Sequence, residues 1–318
     1  MSVLLEAPPP NHREAPPPSP PERLRLETAA VRLSFTWFGA KKTLSAGQKA
    51  QAAEAFGAAG DSLSAGKKLL DTRHPKYRGV SAVRSQAVAY WKGVSLPFPE
   101  PGVRLVRRGD VETLQHRFEG YREELNEAVQ ELDEVYGELR DSARRRLGEL
   151  FESGDYPERL GGLFAVEWDF PSVEPPEYLR RLSPELYQRE CERTRARFEE
   201  AVALAEQAFG EELQRLVSHL AERLEGQADG KPKVFRDSAV ENLQAFFERF
   251  RCLRLSTSGE LDELVEEAEA VLAGVRPEGL RNHTSLRGQA AEGLGRVAQS
   301  LESLLVDRPR RRVMRRGA

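Results

Sequence analysis

Cysteine is scarce: the 318-residue chain carries only Cys191 and Cys252. Two thiols so far apart cannot make a disulfide framework, and no histidine stands close enough to complete a zinc site. Both read as small buried hydrophobes in a reducing compartment. No run of 18 apolar residues occurs, so no membrane-spanning helix is expected. The opening stretch lacks a basic flank and is too short in apolar residues for a signal peptide, which leaves the cytoplasm as the expected location. HExxH, GxSxG and GxGxxG are all missing. The five histidines, at 12, 74, 116, 219 and 283, are scattered, and His116 and His219 fall beside apolar stripes, on solvated faces. These absences leave no catalytic residue, metal site or cofactor to nominate, so a non-enzymatic role is expected. Net charge is only −3, so any nucleic-acid contact must come from a local patch.

One stretch approaches a phosphate-binding loop: residues 60–68 run Gly-Asp-Ser-Leu-Ser-Ala-Gly-Lys-Lys. Its glycine spacing is one residue too long, and Lys68 stands where a magnesium-binding hydroxyl is needed. A helix start with a basic face is the expected reading.

Residues 1–28 hold eight prolines between Pro8 and Pro21, a density that predicts an extended, disordered leader. Val31, Leu33, Phe35 and Trp37 alternate with polar residues and predict a short strand. Val103 and Leu105 offer a partner for it. Between them, helices are expected over about 45–57, 61–71 and 79–92, the first capped by Ser45.

The strongest periodicity starts at Val111. Leu114, Phe118, Tyr121, Leu125, Ala128, Leu132, Val135 and Leu139 follow in steps of three and four, a heptad seam. A second stripe over 184–225 uses Tyr187, Cys191, Thr194, Phe198, Ala201, Ala205, Phe209, Leu213, Leu216, Leu220 and Leu224. Ser183-Pro184 marks its start. Two stretches of matching length predict an antiparallel pair, although such a seam would equally allow a homo-oligomer.

The expected fold is therefore mainly α. A long antiparallel coiled-coil hairpin, 111–226, projects from a helical body with at most a small two-stranded β element. An N-terminal body fills 29–110. The hairpin carries a tip insert at 152–182. A C-terminal helical part, 227–306, packs on the body, and a basic tail occupies 307–318.

Two surfaces suggest partners. The tip insert is rich in aromatics, and Phe164, Trp168, Phe170 and Tyr178 are the expected anchors for a protein partner. Nucleic acid is the alternative, through Arg73, Lys76, Arg78 and Arg84, with His74 and Tyr77 among them, and through Arg310, Arg311, Arg312, Arg315 and Arg316 of the tail. The acidic run Glu260, Asp262, Glu263, Glu266, Glu267 and Glu269 reads as a solvated helix face.

Residues 164–187, Phe-Ala-Val-Glu-Trp-Asp-Phe-Pro-Ser-Val-Glu-Pro-Pro-Glu-Tyr-Leu-Arg-Arg-Leu-Ser-Pro-Glu-Leu-Tyr, carry a resemblance. So do residues 231–243, Lys-Pro-Lys-Val-Phe-Arg-Asp-Ser-Ala-Val-Glu-Asn-Leu. Over roughly residues 30–312 the chain resembles an uncharacterised family of helical proteins from bacteria and their phages or plasmids, a domain of unknown function. The resemblance brings no catalytic residues. Members tend to be encoded near AAA+ ATPases of the MoxR type and von Willebrand A proteins, which implies an adaptor or assembly partner of such a motor.

Overall fold

The computed structural model describes residues 18–225, 236–253 and 259–307. The first element is helix α1 (Pro20–Glu27), where the disordered leader was expected to continue. Its prolines stand at the first helical positions, where the backbone N–H has no helical partner to lose. The Glu22 side chain accepts from the Ser19 N–H at 2.9 Å and closes the start. Fully buried Leu24 holds the two turns down. Its burial is worth about 2 kcal/mol, which a helix this short needs.

Strand β1 (Thr28–Thr36) follows directly. Then come a small ribbon of β2 (Lys41–Thr43) and β3 (Gly66–Lys68), with helix α2 (Ala46–Glu54) between them. Ser45 accepts from the Gln48 N–H and donates its own N–H to the Gln48 side chain, a reciprocal cap. The helix expected over 61–71 is absent. A single 3-10 turn occupies Gly60–Ser62, and β3 takes Gly66–Lys68.

Helix α3 (Pro75–Gly93) leads through β4 (Leu96–Pro97) to β5 (Val103–Arg107). Helix α4 (Val111–Glu134) breaks at Val135 and resumes as α5 (Tyr136–Leu147), ending at Gly148 with φ +54°. The expected continuous rod over 111–151 is thus two pieces. Strand β6 (Ala165–Asp169) and short helix α6 (Tyr178–Leu182) precede α7 (Pro184–Glu225), 42 residues long. After it come α8 (Ser238–Leu253), α9 (Gly259–Leu272), α10 (Pro277–Asn282) and α11 (Thr284–Asp307).

The fold is mainly helical, and its sheet is larger than expected: four antiparallel strands in the order β4-β5-β1-β6. The predicted pairing of the Val31 and Leu105 segments is present, with Ala30 opposite Leu105 and Val31 opposite Arg104. Strand alternation then sorts neighbouring residues to opposite faces. Val31, Leu33 and Val106 join the side chains of α3, α4 and α5 in one core. Ala30, Val103 and Leu105 join α7, α8, α9 and α11 in another.

The sheet is therefore the middle of three layers, and it lies between the cores of the two long helices. The principal helix neighbour of α4 is α3, and that of α7 is α11, with α1 and α8 beside it. Most seam residues are buried as their spacing demands, including Leu114, Phe118 and Tyr121 on α4 and Phe198, Leu213 and Leu220 on α7, whereas Tyr187, Cys191 and Leu216 are only partly so. They face a sheet and other helices. A heptad stripe states that one face is covered, and not by what. Accordingly, the C-terminal helices pack on α7 itself.

Candidate functional site

The aromatic segment expected at a hairpin tip is not a tip. Its residues 165–169 form edge strand β6, registered with Leu33 opposite Trp168 and Phe35 opposite Val166. Alternation turns Phe164, Val166 and Trp168 inward and splits the four proposed anchors. Phe164 is 3% exposed and meets Trp37 edge-on at 4.8 Å, so it is a core residue and not a partner contact. Trp168 is half-buried, its ring 5.4 Å from Phe118, with the Arg122 guanidinium 4.2 Å from its centroid. Phe170 and Tyr178 stay outside, at 41% and 63% exposure, and Leu182 beside them reaches 76%. Leu182, not among the expected anchors, ends a five-residue helix with no buried side chain.

These three residues lie where the chain leaves the sheet and turns through α6 into α7. The corner is pinned at both ends. The Arg25 guanidinium of α1 grips the Glu174 carboxylate, with Nε 2.9 Å from Oε1, and this bond raises the Arg25 pKa. The Tyr187 hydroxyl donates to Glu177 at 3.3 Å. No residue of 184–193 is buried, and Thr194 is the first on α7 that is. A fixed corner with an apolar, solvated rim can dock a partner without ordering itself first.

The basic cluster does not form one patch. Lys76 is paired with Glu131 at 3.0 Å, and Arg73 lies 3.5 Å from Asp71. His74 caps α3, its Nδ1 accepting from the Lys76 N–H, and Tyr77 is buried. Arg78 is exposed. Arg84 stacks over Phe35 and Trp37, 5.1 and 4.9 Å from their centroids. Arg310, Arg311, Arg312, Arg315 and Arg316 lie outside the described residues.

Along the outer face of α3 runs a hollow of about 670 Å³, walled by Trp37 and floored by Ser81, Ser85, Val88 and Ala89, with Arg84 and Lys92 on its rim. A second hollow of about 520 Å³ shares Ala89 and Lys92 and continues to Arg215 of α7 and Arg249 of α8. Beside Arg249 lies Arg104 of β5. Its guanidinium is pushed down to about 10 by burial, with the Arg249 charge adding to the effect. It donates to Ser95 Oγ and to the Ser95 carbonyl, at 2.8 and 2.6 Å.

Lys67, from the stretch that approached a phosphate loop, does not contribute to a basic face. It points inward from β3, and its ammonium lies 2.8 Å from the Leu150 carbonyl, 2.7 Å from Asp155 and 3.2 Å from Glu152. Lys42 of β2 also grips Asp155. Buried among one carbonyl and two carboxylates, the Lys67 ammonium is directed into the fold and away from any ligand. The cluster clamps the ribbon to the loop after α5.

Cys191 is half-buried and Cys252 exposed, contrary to the buried thiols expected. His116 and His219 are exposed, as their positions beside the stripes predicted. Among the described residues, no three His, Cys, Asp or Glu side chains converge as metal ligands, and no helix is long and apolar enough to cross a membrane. Comparison with protein-family models, curated proteins and solved structures finds no match.

Proposed function

We propose that the chain is a non-enzymatic adaptor that binds a protein partner through the corner of residues 170–187. The observation that carries this reading is the exposure of Phe170, Tyr178 and Leu182 on a corner tied down by Arg25 and Tyr187. Large exposed apolar side chains on a pinned element are typical anchors of an interface. An AAA+ ATPase of the MoxR type is the partner to which the sequence resemblance points, and the cytoplasm is where the two would meet.

The test is co-purification and calorimetry with such an ATPase from the same host. The triple variant Phe170→Ala, Tyr178→Ala, Leu182→Ala is expected to lose at least tenfold in affinity while its circular dichroism stays unchanged. Undiminished binding by the triple variant overturns the reading.

Nucleic-acid binding is the second reading. It draws support from the exposed Arg78 and the arginines at 310–312, 315 and 316. A mobility shift that weakens steeply with salt and disappears on removal of residues 308–318 is its expected signature.

A further inference from the structure

The first hollow is a channel along α3 that adjoins the second, with Ala89 and Lys92 lining both. Ser81, Ser85, Val88, Ala89 and Lys92 are spaced four, three, one and three residues apart and so share one stripe of the helix. Small side chains there leave the backbone of α3 low, and the Trp37 ring stands beside it as a wall. From Tyr77 to Lys92 the stripe runs about 22 Å at roughly 1.5 Å per residue, four turns of an opposing helix.

The first hollow is mainly apolar with a cationic rim, whereas charged side chains line most of the second. Neither Arg84 nor Lys92 has a carboxylate partner among the described residues. Further along, Arg249 is satisfied by Glu212, but Arg104 behind it has none. The excess charge of the channel is therefore positive, and it lies beside an apolar floor.

We propose that this channel is a docking groove for an acidic amphipathic segment of a partner protein. Its apolar stripe lies over Val88 and Ala89, and its carboxylates reach Arg84 and Lys92. A nucleic-acid strand fits less well. Arg84 already covers Trp37, Phe164 meets the edge of that ring, and Tyr77 is buried, so no aromatic face remains open for a base to stack on. The groove lies on a different element from the 170–187 corner, and its occupancy does not depend on that corner.

The test pans a phage library of random 16-residue peptides on the full chain. A fluorescein-labelled winner is then measured by polarisation. Ser85→Trp fills the groove from an exposed position, Ala89→Phe does so independently, and Arg84→Glu with Lys92→Glu reverses the rim. The expected result is enrichment of sequences combining carboxylates with leucine-like residues. Their affinity should fall at least tenfold in each groove variant and weaken between 50 and 500 mM salt. It should be unchanged in the corner triple variant. Winners lacking acidic residues, or winners indifferent to both fillings, overturn the proposal. So does a labelled dT20 oligonucleotide that binds the native chain and is lost in Ser85→Trp, since the groove would then belong to nucleic acid.

Discussion

Lys67 and Asp155 meet with 2% and 1% of their side chains exposed, so neither charge is hydrated. Removing one partner leaves the other stranded, and Asp155→Ala should cost about 3 kcal/mol in urea unfolding. Replacing the pair together, Lys67→Met with Asp155→Leu, should recover most of that loss. Burial alone would raise the Asp155 carboxyl, but hydrogen bonds from Lys42 and Lys67 reverse this and hold it below its ordinary value. A carboxyl lowered on folding stabilises fully above its unfolded pKa of about 4, and loses that contribution as pH falls through the folded value. Stability should therefore drop on acidification below about pH 4, and the drop should be shallower in Asp155→Asn. The four aromatics expected to act alike also separate at this scale. Phe164→Ala should cost about 3–4 kcal/mol by opening a cavity, whereas Tyr178→Ala should change the melting transition by less than about 0.5 kcal/mol.

Helices α9 and α11 leave no room for a side chain at Gly293, where an added methyl would stand 2.7 Å from Val271 Cγ2. Glycine-to-alanine in a helix ordinarily stabilises by about 0.5–1 kcal/mol, but here the stiff valine cannot turn away. Overpacking wins, so Gly293→Ala should destabilise by about 1–2 kcal/mol, and adding Val271→Ala should restore what was lost. Calorimetric melting of the three variants decides the sign. Along α7, hydrogen exchange should be orders of magnitude faster over 184–193 than over 198–224, because no side chain of the first stretch is buried. Several elements were legible because their signals are local. The alternation of Val31, Leu33 and Phe35 marked β1, and the Ser45–Gln48 cap marked α2. Strand β6 carries the same alternation in Val166 and Trp168, but over too few residues to stand out within an aromatic-rich insert. Helix α1 was hidden by Pro20 and Pro21, which are harmless only at a first turn.

At the scale of the whole molecule, what could not be read was pairing. Leu114 to Leu139 and Phe198 to Leu224 are each spaced for burial, but nothing in the spacing says that a sheet lies between them. That knowledge resides in long-range register, such as Ser34 opposite Glu167, which no local pattern encodes. The same gap explains the fate of the candidate site. Its aromatic composition was visible, while the half that serves the core was decided by a strand partner 133 residues away. That distance also bears on biosynthesis. Strand β1, one of the two inner strands, leaves the ribosome well before β6 and must wait for this second neighbour. At 5–20 residues per second, the delay is roughly 7–27 s. For that interval β1 shows one open edge, and the apolar side meant for α7 is bare for longer still. Nascent chains arrested near residue 160 should therefore bind trigger-factor-like chaperones more strongly than chains released at full length.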